Sequence, residues 1–369
     1  MLRQLECKPD FDRTSRFWDG FWRGENSRPA IRVTLPRAGV RPQPAPAYLD
    51  CFDGDLHRIA DQALAWAETH EFCAEAIPFY YLEYGPDTFA AFLGAELQLA
   101  EDRTTSWSIP CIEDWDRAEI RFRPEGHWWQ RTVEAAGILF ERCAGKLLIC
   151  PPTLVANLDV LAALRGPQRL MFDLAVAPEK IRRALAQVNV AHSQIMAECA
   201  RVFRFDEFGS INIEGAYTAG RQSRPQCDAS CMISPAMFRE LVVPCLESEA
   251  NDADVFVYHL DGPGAIKHLE ALCSIDKLDM IAWVCGTGSE DKDWSFLYDR
   301  IDRFGKGQWR YLTDRDEVKD AWRRCRSRKL AFTVAAASPS EVEDFLGELE
   351  EIEKDGTDPS KPDADPRRH

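Results

Sequence analysis

Short apolar runs and longer amphipathic stretches alternate along most of this chain, and the alternation predicts strands and helices in turn. Residues 30–36 (Ala-Ile-Arg-Val-Thr-Leu-Pro) read as a first strand, 56–70 as a helix and 72–78 as a strand ending at Pro78. Residues 79–107, rich in Tyr, Gly and Pro, read as elaborated loops with a small helix. Beyond 128 the pattern becomes regular. Helices are predicted over 129–143, 153–165 and 177–202, with strands at 146–150, 209–214 and 224–231. Ser234-Pro235 supplies an N-cap and a first-turn proline for the helix that follows. Strands at 254–259, 278–284, 307–312 and 329–335 then interleave with helices ending near 273 and spanning 292–303, 314–327 and 338–353.

Strands and helices that recur every 25–45 residues or so imply βα units on a parallel sheet. Eight or nine such strands in about 325 residues favour an α/β fold of one closed (β/α)8 TIM-type barrel. No Gly-x-Gly-x-x-Gly follows the first strand, which argues against a dinucleotide-binding sheet. Phe11, Phe17, Trp18, Phe21 and Trp22 recur among charges at the spacing of an amphipathic helix that docks on the domain. The expected layout is an N-terminal helical extension (1–29), a barrel (30–354) and a disordered, charge- and proline-rich tail (355–369).

Composition narrows the function. The chain of 369 residues is 45% hydrophobic and carries a net charge of −16. With a pI near 5.0 it is a poor partner for nucleic acid or an anionic membrane. Thirteen scattered cysteines without a Cys-x-x-Cys pair do not read as a disulfide framework. With no signal-like N-terminus and no apolar run of spanning length, a soluble cytoplasmic protein is expected.

The most informative stretch is 254–264, Asp-Val-Phe-Val-Tyr-His-Leu-Asp-Gly-Pro-Gly. A buried strand runs into a Gly-Pro-Gly turn, and His259 and Asp261, two apart, share one side of it. In α/β folds the strand C-termini are where ligands bind. His259 suits a general base or a metal ligand; Asp261 suits the same metal or the orientation of the histidine. Asp228 and Ser230 repeat an x-Asp-x-Ser alternation, with helix capping as the competing role. Glu214 reads as a further metal ligand, a proton carrier or a salt-bridge partner, and Cys285 as a thiolate ligand or a small core residue. Glu75 and Tyr258 join them as binding candidates, and Trp283 is the tryptophan best placed to stack on a flat cofactor.

At 226–288 the chain resembles the uroporphyrinogen decarboxylase superfamily. Ile233-Ser234-Pro235-Ala236-Met237-Phe238-Arg239-Glu240 is similar to its Ser-Pro-x-x-Phe stretch, and Tyr258-His259-Leu260-Asp261-Gly262 falls where its histidine motif would. The resemblance implies a TIM-type barrel and one of two chemistries. One arm decarboxylates tetrapyrrole acetates without cofactor and carries an Arg-Gln-Ala-Gly-Arg-Tyr-like signature. Here Arg3-Gln4 continues as Leu5-Glu6-Cys7. The other arm is cobamide-dependent methyltransferases with a His-x-Cys zinc pair and a late cysteine. Here His259 matches, Asp261 replaces the cysteine, and the last strand (Phe332 to Ala336) has none. The chain resembles a divergent third branch.

The leading expectation is a methyltransferase. A methyl group would pass between a corrinoid, borne by a partner protein, and a small acceptor, with zinc on His259, Asp261, Glu214 and Cys285. The runner-up is a metal-free decarboxylase or lyase in which Asp228 or His259 moves the proton and Arg32, Arg37 or Arg221 holds substrate carboxylates. The third is a non-catalytic tetrapyrrole or corrinoid binder. A homodimer is expected by analogy with the superfamily.

Overall fold

The computed structural model describes residues 4–311 and 314–352. Seven strands form one sheet in the order His70–Ala74, Ala30–Pro36, Leu330–Thr333, Gly307–Arg310, Met280–Val284, Val255–Asp261 and Gln222–Ser223. All neighbours are parallel except the first pair. Two short parallel strands, Phe79–Tyr81 and Leu148–Cys150, pair separately, and Ser210–Ile211 pairs antiparallel with Tyr217–Thr218. The result is a barrel-like α/β fold whose hydrogen-bonded ladder does not close among the described residues. Two local causes are visible. The His70–Ala74 strand turns back against Ala30–Pro36 and occupies its free edge. At the other end, Pro225 cuts the Gln222–Ser223 strand short, because proline has no N–H to give a ladder.

Strand alternation sorts side chains into two layers. Ala30, Leu148, Cys150, Ile211, Val255, Val257, Met280, Ala282, Trp309 and Ala331 meet in one central cluster. Phe256, Tyr258, Leu260, Ile281 and Trp283 face the other way, into the core shared with the helices. The N-terminal helix Phe11–Arg23 adds Phe11, Trp18 and Phe21 to the central cluster, and its Trp18 stacks on Trp309 at 6.4 Å. It ends at Gly24, whose φ of 70° is the left-handed cap that glycine adopts without strain. The Ser234 hydroxyl accepts the Met237 amide, as its capping role requires. The 79–107 region holds the short helix Thr88–Phe92 and the hairpin Glu96–Leu99 with Ser106–Ile109. No described helix is long and apolar enough to cross a membrane. The tail expected at 355–369 lies outside the described residues.

Candidate functional site

The Val255–Asp261 strand places the site. Val255 and Val257 enter the central cluster, so His259 and Asp261, of the same parity, open towards its C-terminal mouth. The Gly262 amide donates to the Val284 carbonyl and carries the turn over to the next strand.

Arg224 organises the polar groups there. Its Nε donates to Glu214 Oε1 at 2.5 Å, and its Nη2 donates to His259 Nδ1 at 2.8 Å. The ion pair is buried, with side-chain exposures of 12% for Arg224 and 3% for Glu214. Burial works against the arginine's charge, and Glu214 more than offsets it. A guanidinium can only donate, so Nδ1 accepts and the neutral ring carries its proton on Nε2. Burial, reinforced by the Arg224 charge, lowers the His259 pKa to about 3. Tyr311 adds a 3.4 Å bond from its hydroxyl to Glu214 Oε1.

Arg32 is the second cation. Its Nε is buried without a hydrogen-bond partner, and its guanidinium lies 5.5 Å from the Trp309 ring centroid. Burial lowers its pKa to about 10 despite the nearby charge of Glu214. Gly215, at φ +82°, makes room for it, since a Cβ there would stand 2.6 Å from the guanidinium carbon. Between Arg224 and the strand Leu148–Cys150 lies a narrow crevice, lined also by Thr153, Leu154 and Asn212.

Facing these cations is a group of carboxylates with raised pKa values. Asp228 is raised by burial and by the charge of Asp261. Asp261 is raised by burial against the opposing effect of Arg224, and its Oδ1 is buried without a partner. Asp159 accepts the amides of Asp228 (2.7 Å) and Ala229 (2.9 Å); burial, then the charge of Asp228, raises its pKa to about 7. Carboxylates pushed upward by burial hold a proton nearer neutral pH and so suit acid–base work.

His259, Asp261, Asp228 and Glu214 therefore come together. The other sequence candidates do not. Glu75 is locked in a buried bidentate pair with Arg28 at 2.8 and 2.9 Å and takes the Ile31 amide, so it holds the N-terminal segment and not a ligand. Tyr258 and Trp283 have the opposite parity to the site and lie in the helix-facing core, where Trp283 meets Trp294 edge-on at 5.0 Å. Cys285 packs against that same core. Ser230 is not on a strand: Asp228–Met232 is a 3-10 turn, and the buried Ser230 carbonyl receives His268 Nε2 at 2.8 Å. Of the arginines proposed for carboxylates, Arg32 is in the site. Arg37 reaches out to the His70 carbonyl, and Arg221 is exposed at the strand start.

Three participants escaped the sequence reading: Arg224, Tyr81 and Glu83. The Tyr81 hydroxyl donates to Glu83 and lies 2.8 Å from Thr153 Oγ1. Glu83 also gathers the amides of Tyr84, Gly85 and Thr153. The signal available was an arginine placed against a strand-breaking Pro225 and a carboxylate inside the Tyr80-Tyr81-Leu82-Glu83-Tyr84 run.

Zinc does not fit this arrangement. The His259 Nδ1 lone pair already takes an Arg224 N–H, Glu214 gives its Oε1 to the same arginine and keeps only Oε2 unpartnered, and Cys285 faces the helices. Among the described residues no three His, Cys, Asp or Glu side chains converge as a metal-binding group.

No protein-family model matches the sequence, and no curated protein matches it. Solved structures do. The fold is similar to that of a methyltransferase from Methanosarcina mazei. The two superpose with a TM-score of 0.58 over 91% of this chain and 98% of the other, at 11% sequence identity. An identity that low establishes the fold; the chemistry has to be argued from the side chains.

Proposed function

We propose that this chain is a small-molecule methyltransferase that works on an anionic acceptor without zinc. The fold it shares with the Methanosarcina mazei methyltransferase supports methyl transfer. The observation that carries the acceptor's chemistry is Arg32, a half-buried cation whose buried Nε has no partner, next to the Arg224–His259 pair. A carboxylate on the acceptor satisfies Arg32 bidentately, which fixes orientation as well as charge. The His259 Nε2–H is left to donate to an acceptor oxygen. Asp261, with Asp228 beside it, takes the proton from the acceptor's S–H or O–H as the freed lone pair forms the new bond to the methyl carbon, whose bond to the donor breaks with its electron pair leaving on the donor. A corrinoid delivered by a partner protein, the donor expected from the sequence, would supply the methyl group.

One observation favours a second reading. Arg32 and an Asp228 whose pKa is raised are also what a metal-free decarboxylase of a carboxylated substrate needs.

The test is the absorbance of methylcobalamin incubated with carboxylated thiols. Methyl transfer is expected to survive a chelator and to fall by about 10²-fold or more in Asp261→Asn, the usual weight of a general base. Transfer abolished by the chelator and restored by zinc would overturn the proposal. Inert methylcobalamin alongside loss of CO₂ from a carboxylated tetrapyrrole would replace it with the second reading.

A further inference from the structure

Two tyrosines stand open at the rim of the site. Tyr48 is 45% exposed and Tyr311 51%, too much for core residues, yet each is tied down on its inner side. Tyr311 directly follows the strand Gly307–Arg310, and its hydroxyl donates to Glu214 Oε1 at 3.4 Å. The next residue after Glu214 is Gly215, and the Arg32 guanidinium packs where a Cβ of that residue would stand. The Tyr311 ring is therefore held beside the cation that is to take a carboxylate.

Tyr48 lies near the end of a strap that leaves the first strand at the mouth. Pro42, Pro44 and Pro46 stiffen the strap by fixing φ. It is also held from the side: the Gln43 amide donates to Thr69 Oγ1 at 3.0 Å, and the Gln62 side chain to the Ala45 carbonyl at 3.2 Å. The strap sets the Tyr48 ring on Tyr81, with centroids 6.2 Å apart and planes 28° from parallel. Tyr81 is the last residue of its strand, and like Phe79, of the same parity, it packs against the central cluster. Its hydroxyl is pinned by Glu83 and Thr153, and Thr153 shares the crevice with Arg224. Tyr48 thus rests one face on an anchored ring at the mouth and keeps the rest of its surface open. Tyrosines fixed in this way offer rigid contact area at low entropic cost.

We propose that Tyr48 and Tyr311 are specificity-determining residues that select an aromatic ring, so that the acceptor is an aromatic carboxylate. This rests on the anionic acceptor proposed for the site and adds its class. The carboxylate turns inward to Arg32 and the ring stays at the tyrosine rim. An aliphatic acid of the same size meets the same cation but has no π face to offer.

The test is calorimetric titration of the full chain with benzoate and with cyclohexanecarboxylate. Both are ionised at neutral pH and carry a six-carbon ring, and the aliphatic one is no less apolar. Benzoate should bind about 2- to 10-fold more tightly, the usual worth of an aromatic pair beyond the area it buries. Tyr48→Leu/Tyr311→Leu should erase the preference. Tyr48→Phe/Tyr311→Phe should keep it, because the rings remain when the hydroxyls go. Equal affinities in the native chain, no binding of either acid, a preference that survives the leucine pair, or one lost in the phenylalanine pair would overturn the proposal. Arg32→Gln should weaken both acids alike and leave their ratio unchanged. Affinities that Arg32→Gln leaves untouched would sink the anionic-acceptor reading alone, while a benzoate preference removed by the leucine pair would still uphold the rim.

Discussion

Arg224→Met is expected to lower the free energy of unfolding by about 3–5 kcal/mol, the usual cost of removing one partner from a buried ion pair. The cause is not the lost attraction alone. Glu214, its side chain 3% exposed, would be left with a distant Tyr311 hydroxyl as its remaining bond and Arg32 as its nearby cation. Urea unfolding at neutral pH measures the effect. The double variant Arg224→Met/Glu214→Leu should recover most of it, because removing both charges also removes the desolvation penalty. A loss below about 1 kcal/mol would mean that the pair behaves as an exposed one. The same single variant should bring His259 back towards ordinary titration, since it removes the charge that opposes protonation.

Glu75→Gln is expected to cost a similar 3–5 kcal/mol or so, at a different place in the molecule. It breaks the bidentate pair with Arg28, in which both side chains are at most 5% exposed, and weakens the bond from the Ile31 amide. Arg28 also lies 4.3 Å over the Phe17 ring, so the pair ties the N-terminal helix to the first strand. Thermal unfolding should show the loss, whereas ligand affinity per folded molecule should be unchanged. Normal stability with impaired ligand binding would restore Glu75 to the role its place after an apolar run suggests.

What the sequence revealed follows from how local each signal is. His259 and Asp261 were legible because the two-residue period of a strand and a Gly-Pro-Gly stop are both local. The same period, applied strictly, excludes Tyr258 from the face of His259. It likewise puts Trp283 opposite Met280 and Ala282. Asp228 and Ser230 misled because an alternation of types looks alike on a strand and on a 3-10 turn; Pro225, just ahead, was the mark of the break. The mostly parallel sheet was readable from βα spacing, but not the reversal of His70–Ala74, which depends on which edge is free. Arg224 was invisible for a third reason. Its importance comes from Glu214 and His259, 10 and 35 positions away, and no local pattern encodes that meeting.

His259 also leaves a mark on stability. Its folded pKa is about 3 against an ordinary value of 6.5. Below 6.5 the unfolded chain takes up a proton that the folded ring refuses. This group's contribution therefore falls as pH drops towards 3, by up to about 1.4 kcal/mol per pH unit. His259→Asn should remove that slope, with Glu249 and Asp159 acting in the opposite sense in both proteins because their folded pKa values are raised.

The most direct test of the account is the ¹⁵N spectrum of the His259 ring, recorded through the acid-to-neutral range with and without one equivalent of zinc. A neutral ring protonated at Nε2, unchanged by pH over that range and untouched by zinc, is the expected result. Titration near the ordinary histidine value, or a ring nitrogen that shifts on adding one zinc per chain, would contradict it and return His259 to the role of metal ligand.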